Sequence, residues 1–311
     1  MRSLLVILAA VVTAAAAQPN PGVDDGLAAL RQQDARVNAV AFRLATANLE
    51  LCPAKGPQSG LLLQDANQYG PAVRADAIRD LGLSGAPSVE AVAPESPAAV
   101  AGLQPGDTLL SINATRFDPS PPKPDAPATN AILDRERDML DAALASGPAT
   151  VDFLREGKPM QARIAPAPGC AYRFELYPAP ALEASSDGRK VLISSAFARL
   201  AERDDDLAVL LGHEMGHNIL GHVAHPTGSA RSRERAADYW GAYLAARAGY
   251  DVTGAAAFWR RVGQDSWIQN FAFFGHPSPT ARSRAMEAIA AEIQARRAAG
   301  KPLTPDSGPN R

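Results

Sequence analysis

The sequence predicts an α+β protein in which helical segments flank a β-rich segment. Apolar residues recur at the spacing of one helix face between Asp24 and Leu51, and helical spacing returns after Cys170. Between these segments, short apolar runs such as Ser88–Val92 alternate as strands. These observations predict a mainly helical domain with a small sheet and a second, β-rich domain inserted into it.

Length and composition agree with two domains. The chain has 311 residues, of which 46% are hydrophobic and 21% are charged, and such a chain buries a sizeable core. Its formal net charge is −2, so no basic excess indicates binding to nucleic acid or to an anionic membrane surface. We therefore predict neither of these partners.

The first residues predict an export signal at residues 1–17. Arg2 provides a positive start, Leu4–Val12 an apolar run, and Ala15–Ala17 the small residues of a cleavage site. An uncleaved anchor is the alternative. Gly254–Gly275 is the most apolar later segment, but charged residues interrupt it, so no membrane span is predicted after cleavage. The expected location is the periplasm or the cell envelope.

Residues 24–52 predict one helix with a single buried face. Leu30, Val37, Val40 and Leu44 repeat at helical spacing, and their partner is expected in the helical region after residue 170.

The two cysteines, Cys52 and Cys170, flank one whole segment of the chain. An oxidising compartment preserves disulfides, so export favours a bridge that clamps the base of an inserted domain. Closing this loop stabilises by up to ~5 kcal/mol in the chain-entropy model. Two unrelated buried thiols are the alternative.

The segment between the cysteines predicts short strands and helices. Ser96 followed by Pro97 reads as a helix start, and Gly102 as its end. The predicted elements are the strand Ser88–Val92, the helix Ala98–Ala101, a turn and strand within Leu103–Asn113, the helix Asn130–Ala145, and the strands Thr150–Arg155 and Met160–Ala165.

The stretch VEAVAPESPAAVAGLQPGDTLLSIN resembles the core of a PDZ domain of the kind attached to bacterial HtrA-type proteases. The resemblance covers roughly Leu61–Ala165 and predicts a PDZ domain at residues 60–166. It implies that Leu81, Gly82 and Leu83 form the loop that receives the carboxylate of a C-terminal peptide ligand. The peptide would then add as a strand beside Ser88–Val92.

One departure from the PDZ pattern is the proline-rich insert Asp118–Pro127, which predicts an extended surface loop. A spacer without a ligand is the alternative role of this domain, because a fold alone does not establish a function.

The most informative stretch of the chain is LLGHEMGHNILGH, from Leu210 to His222. A helix places His213 and His217 on one face, where both imidazoles reach one Zn²⁺ ion. Glu214 is then free to accept a proton from the attacking water. A core helix with chance histidines is the alternative, but all five histidines lie in the last third of the chain.

A third zinc ligand is predicted at Glu234, which lies 17 residues after His217 and begins a new helix. A catalytic zinc keeps three protein ligands and one open position. Asp238 follows four residues later on the same face, where it can accept a hydrogen bond from a ligand histidine and orient it. A solvated helix face is the alternative.

HEMGHNILGH followed by ERAAD resembles the gluzincin metallopeptidases that include HtpX, the CAAX prenyl protease and the mitochondrial Oma-type proteases. Phe42–Ala45, Asp187–Ser194 and His276-Pro277-Ser278 with Arg282 match further pieces of that pattern. The resemblance implies a zinc metallopeptidase domain at residues 170–297, completed by the amino-terminal helix, with one Zn²⁺ per chain. Membrane spans of HtpX and the CAAX protease are missing, so the chain is closer to soluble, exported members.

The resemblance places His276 and Arg282 near the metal. His276 could donate to the oxyanion or occupy the fourth zinc position of a latent enzyme, and core packing is its alternative role. His222 and His225 are expected beside the ligands or on the surface. Lys190–Ser194 is expected to be an edge strand that pairs with an extended substrate, or simply a sheet edge.

Two hypotheses follow. The first is a zinc endopeptidase of the periplasm or cell envelope that acts on proteins and uses its PDZ domain for recruitment or regulation. The second is a catalytically silent PDZ-based binding or chaperone-like protein with a structural zinc. Glu214 favours the first, because a structural zinc needs no base. Residues 298–311 predict a disordered tail.

Overall fold

The computed structural model describes residues 21–265 and 278–306. The predicted export signal at residues 1–17 lies outside the described residues. Within them the predicted α+β class is confirmed, since helices and antiparallel sheets both occur. No helix in this part of the chain combines the length and apolar character that crossing a membrane requires.

The helices and strands alternate in blocks along the chain. The helices are α1 Pro21–Ala47, α2 Pro71–Leu81, α3 Pro97–Val100, α4 Ala131–Ala145, α5 Ser195–Leu200, α6 Asp204–Ile219, α7 Ala230–Arg247, α8 Ala255–Asp265 and α9 Pro279–Ala298. The strands are β1 Lys55–Gln58, β2 Leu61–Gln64, β3 Ser88–Val92, β4 Thr108–Ile112, β5 Thr115–Arg116, β6 Ala149–Arg155, β7 Lys158–Ile164, β8 Ala167–Cys170, β9 Arg173–Tyr177, β10 Ala184–Ser186 and β11 Lys190–Ser194.

The middle of the chain forms an antiparallel sheet in the order β2-β3-β4-β6-β7, with β5 paired to β4. Its core lies between this sheet and α4 and contains Leu109, Leu133, Val151 and Phe153, each at most 2% exposed. The bounds of the strands and helices predicted for this segment agree with the observed bounds within a few residues, and those of β3 are identical. The helix α2 was not predicted.

A second core joins the two ends of the described chain. Val37 and Leu44 of α1 pack in the same buried cluster as Val191 of β11, Leu211 of α6 and Tyr243 of α7. The amino-terminal helix therefore has the partner expected for its apolar face. It is shorter than predicted, because α1 ends at Ala47 and a 3₁₀ turn covers Leu49–Leu51.

A small sheet in the order β10-β11-β9 lies beside α6. The prediction that Lys190–Ser194 is an edge strand is wrong. This segment is β11, which pairs antiparallel with β10 and parallel with β9, and its Val191 and Ile193 are fully buried. The edge nearest α6 belongs instead to β10, residues Ala184–Ser186.

The chain beyond α9 differs from the predicted disordered tail. Residues 301–306 are described, and Leu303 packs against the helical core. The carbonyl oxygen of Leu303 accepts a hydrogen bond from Arg247, and Asp306 pairs with Arg296 at 2.9 Å. These contacts hold six residues of the segment predicted to be disordered.

Cys52 and Cys170 form a disulfide with Cα atoms 5.5 Å apart. The bond lies at the two crossings between the β-rich segment and the helical core, beside the pairing of β1 with β8. It encloses a loop with a sequence separation of 118 residues.

Replacing both cysteines with serine is expected to lower the free energy of unfolding by about 2–5 kcal/mol, because the unfolded chain regains the entropy of an open loop. Urea unfolding of the oxidised protein and of the double variant measures this difference. Equal midpoints and slopes would contradict a stabilising bridge. A reductant should move the oxidised protein toward the variant and leave the variant unchanged.

Candidate metal centre

The helix α6 carries the HEMGH motif, and its sequence explains both its start and its burial. Asp204, Asp205 and Asp206 occupy the first turn, where negative charge favours the positive end of the helix dipole. Asp206 also pairs with Arg261 of α8 at 2.7 Å. The remainder of the helix is almost entirely buried, including His213 at 3% exposure. The motif therefore lies in the interior of the protein, on a helix whose first turn is held by an ion pair.

Glycines bring α6 and α7 into backbone contact beside the motif. A Cβ atom at Gly212 would lie 2.7 Å from the carbonyl oxygen of Gly241. A Cβ atom at Gly241 would lie 2.6 Å from the backbone nitrogen of His213. Only glycine permits this approach at both positions. The close crossing lets Glu234, near the start of α7, reach the two histidines of α6.

His213, His217 and Glu234 converge on one point. The Nε2 atoms of the two histidines lie 3.2 Å apart, and the Glu234 carboxylate oxygens lie 3.4 Å from His213 Nε2 and 3.5 Å from His217 Nε2. A tetrahedral zinc with bonds of about 2.0–2.1 Å separates its ligand atoms by about 3.3–3.5 Å. The donor types and spacings therefore fit Zn²⁺.

Asp238 and Arg282 both contact the His213 ring, Asp238 at Nδ1 and the Arg282 Nη2 atom at 2.9 Å from Nδ1 and 3.2 Å from Nε2. Asp238 Oδ1 lies 2.9 Å from His213 Nδ1, and the Arg282 Nε atom donates to the same carboxylate at 2.8 and 2.9 Å. The Arg282 guanidinium stacks 3.4 Å from the centre of the Trp259 ring. With Nδ1 engaged by Asp238, His213 presents Nε2 to the metal.

Opposite charges dominate this buried group. Although burial opposes ionisation, the Arg282 guanidinium and His213 hold the pKa of Asp238 below its usual range. Burial and Arg282 also oppose protonation of His213, yet its bonds to Asp238 and Glu234 raise its pKa to about 9. The Asp238 and Glu234 carboxylates that stabilise this proton would also attract a metal cation, which must displace any proton from the ligand atom on binding.

The second ligand histidine also has a fixed partner. His217 Nδ1 lies 3.0 Å from Nδ1 of His222, which follows the end of α6. Burial, together with the neighbouring His217, lowers the pKa of His222 to about 4, so His222 is neutral near pH 7. A neutral imidazole can share one hydrogen bond with His217 and direct its Nε2 toward Glu234. His225 is exposed.

Of the remaining predicted site residues, Glu214 and Arg282 belong to the part of the chain that the structure describes, and His276 does not. Glu214 lies on α6 between the two ligand histidines and is 8% exposed. Arg282 lies on α9 and contacts Asp238 and His213 at the metal centre. The predicted role of His276 falls outside the described residues. Trp259 was not predicted at the site, because no short motif marks a ring that stacks on an arginine.

The predicted carboxylate loop at Leu81, Gly82 and Leu83 is corrected by the structure. Leu81 ends α2, and the amides of Gly82 and Leu83 both donate to the carbonyl oxygen of Ile78. These N–H groups cap the helix and have no capacity left for a carboxylate. The neighbouring strand β3 is also paired on both sides, by β2 and β4, so no peptide can add beside Ser88–Val92.

Among the described residues the edge strands of this sheet are β2 and β7, and β2 is the one that contacts α4. It borders a cleft of about 630 Å³ that also contacts α4, β9 and the start of β11. Arg137 of α4 bridges the cleft, donating to the carbonyl oxygen of Leu63 at 2.8 Å and to Glu175 of β9 at 3.1 Å. Lys190 of β11 pairs with Glu175 at 3.0 Å and with Asp134 of α4 at 3.2 Å. Charged contacts therefore connect the β-rich segment to the sheet beside the metal helix.

Two protein-family models match the chain, one in the segment that carries the metal centre and one in the β-rich segment. Residues 178–229 and 226–290 match the model described as peptidase family M48, and residues 88–118 match the model described as PDZ domain. Peptidase family M48 is a family of zinc metallopeptidases, which are hydrolases acting on peptide bonds. No curated protein matches the chain. The gluzincin and PDZ resemblances inferred from the sequence are confirmed by these matches.

Proposed function

Since the chain carries a zinc metallopeptidase domain of family M48 and a PDZ domain, we propose that it cleaves peptide bonds within protein substrates. The proposed enzyme is an endopeptidase that uses one Zn²⁺ per chain. Its PDZ domain is inserted between the amino-terminal helix α1 and the rest of the peptidase fold, and it recruits or positions substrates.

The observation that carries this proposal is the arrangement of His213, His217 and Glu234, with Glu214 next to His213 in the sequence of α6. Three ligands at tetrahedral spacing leave one zinc position for water and substrate, whereas a structural zinc usually has four protein ligands. Among the described residues, no fourth histidine, cysteine or carboxylate completes that group. A glutamate that is not needed as a ligand has the chemistry of a general base.

Each residue then has a distinct task. When bound, zinc acts as a Lewis acid that polarises the scissile carbonyl and activates water. Glu214 accepts a proton from the attacking water and returns it to the leaving amine. Asp238 and His222 keep the Nε2 atoms of His213 and His217 directed at the metal.

We propose that the substrate backbone pairs with the free edge of β10. This strand is the edge of the small sheet that lies against α6, so an extended peptide added there runs beside the metal helix. Backbone hydrogen bonds would supply most of the grip, and such binding tolerates many side chains.

The PDZ ligand is proposed to lie along β2, in the cleft between this strand and α4. An extended peptide there would replace Arg137 at the Leu63 carbonyl oxygen. It would also contact the charged group formed by Asp134, Glu175 and Lys190. Peptide binding would thus act on the same contacts that join the PDZ domain to the peptidase sheet.

The proposed location is the periplasm or the cell envelope. The Cys52–Cys170 disulfide supports it, because such a bond persists in an oxidising compartment and is rare in a reducing one. The export signal predicted at residues 1–17 supports it independently.

Chelation tests the proposal directly. The zinc-loaded protein is expected to cleave an unfolded protein such as casein, to lose more than about 90% of that activity when zinc is removed, and to regain it on addition of Zn²⁺. Release of peptides is measured over time. Cleavage that survives complete zinc removal would contradict the proposal. Absence of cleavage by the zinc-loaded protein, with peptide binding retained, would favour the silent PDZ-based binding protein.

A further inference from the structure

Asn218 follows His217 directly on α6, and its side-chain hydrogen bonds go to residues other than the metal ligands. It is 6% exposed. Its side chain reaches the turn between β10 and β11, where its Oδ1 accepts from the amide of Gly188 at 2.7 Å. Its Nδ2 donates to the carbonyl oxygen of Lys190 at 3.2 Å. One side chain therefore joins the metal helix to the middle of the turn and to the first residue of β11.

The turn has few other links to α6. Asp187 organises it internally, because its Oδ1 accepts from the amides of Arg189 and Lys190 at 2.8 and 2.6 Å. These bonds shape the turn but do not connect it to the helix. The Gly188 amide, at a φ of +94°, points outward to Asn218. The Arg189 carbonyl oxygen accepts from the amide of Arg173 of β9 at 3.0 Å, so the turn is held to β9 by this bond and to α6 by Asn218.

The turn holds one end of β10, and hydrogen bonds between Glu183 and Ser194 hold the other end. The strand comprises only Ala184–Ser186, pairs with β11 through three residues, and ends next to the turn. A displacement of the turn shifts the free edge of β10 toward or away from α6. A turn that is not fixed to α6 would leave this edge less ordered, and the backbone hydrogen bonds that it offers to a substrate would weaken in the ground state and in the transition state alike.

We propose that Asn218 is a positioning residue that fixes the β10–β11 turn against the metal helix and thereby sets the substrate edge. This inference rests on the proposed peptidase function and on pairing of the substrate with β10. Asn218 acts through the turn and touches neither the substrate nor the reacting atoms.

The test uses Asn218→Leu, which keeps a similar volume and removes both hydrogen bonds. Strand pairing holds the substrate in the ground state and in the transition state alike, so its loss should raise KM with little change in kcat. We expect KM for a peptide substrate to rise about fivefold to tenfold and kcat to change by less than about threefold. Zinc affinity should be unchanged. Asn218→Asp keeps the acceptor for Gly188 and should restore part of the wild-type KM.

The control is Asn48→Leu. Asn48 is also buried, and its side chain donates to the carbonyl oxygens of Leu44 and Leu244 and accepts from Arg247 Nε, but it lies between α1 and α7. This variant should lose stability while its KM stays unchanged. An unchanged KM in Asn218→Leu, or an equal rise in both variants, would overturn the proposal.

Hydrogen exchange separates this inference from the proposed function, because it needs no activity. Amides of residues 184–190 are expected to exchange at least about tenfold faster in Asn218→Leu than in the wild type, and the HEMGH helix should keep its protection. Unchanged exchange at the turn would overturn the positioning role, whether or not the protein cleaves peptides. If these amides exchange faster in Asn218→Leu but the wild-type protein cleaves no peptide, Asn218 still fixes the turn against α6. The proposed peptidase function would then be wrong, and with it the effect of Asn218 on substrate binding.

Discussion

Replacing Glu214 with glutamine is expected to lower kcat for peptide hydrolysis by about 10²–10⁴-fold, the usual contribution of a general base. Glutamine keeps the size of the side chain and cannot accept the proton. Because Glu214 is not one of the three proposed ligands, the variant should bind one Zn²⁺ with the wild-type affinity. Peptide release and zinc content, measured on the same sample, check both parts.

The control for this change is Glu202→Gln, the same chemical substitution at an exposed residue just before α6. It should leave both kcat and zinc content unchanged. Loss of zinc from Glu214→Gln would contradict the assignment, because it would make Glu214 a ligand. Wild-type activity in a zinc-loaded Glu214→Gln variant would exclude Glu214 as the base.

Replacing Asp238 with alanine is expected to damage both the fold and the metal site. Asp238 and Arg282 are 2% and 4% exposed, so the substitution leaves the Arg282 charge buried without its carboxylate. Breaking a buried ion pair in this way costs about 3–5 kcal/mol of stability. His213 also loses the partner at Nδ1, and loss of such a partner lowers zinc affinity by about 10–100-fold. Urea unfolding of the metal-free protein and zinc titration measure the two effects separately.

A double variant separates the two roles of this pair. Asp238→Leu combined with Arg282→Met removes both charges and fills the space with apolar groups, which is often neutral for stability. Most of the lost stability should return, while zinc affinity should stay low because His213 still lacks its hydrogen bond. Recovery of zinc affinity in the double variant would contradict the orienting role of Asp238.

The metal centre could be predicted from the sequence because its spacing follows helix geometry. His213 and His217 lie one turn apart, and the same argument places Glu234 and Asp238 on one face of the next helix. The backbone contact between Gly212 and Gly241, which brings these helices together, could not be predicted. This contact depends on how two separate helices pack, and the spacing of residues within each helix does not specify which glycines meet.

Strand pairing was predicted less well than helix faces. The alternation of Ser88–Val92 identifies a strand but not its neighbours, so a peptide was expected beside β3 although β2 and β4 occupy both of its edges. For the same reason Lys190–Ser194 was wrongly predicted to be an edge strand, since its two neighbours in the small sheet could not be identified. Asn218 and His222 were also not assigned contacts, because their partners lie in a turn and in a neighbouring ring rather than in a motif.

The most direct test of the metal centre is a crystal structure of the zinc-loaded protein with diffraction recorded at the zinc absorption edge. We expect one anomalous peak per chain, at about 2.0–2.2 Å from Nε2 of His213, Nε2 of His217 and a carboxylate oxygen of Glu234. The Glu214 side chain should lie beside the peak without bonding to it. A peak bonded to His222 or Glu214 instead of Glu234, or no peak in protein saturated with zinc, would contradict the account.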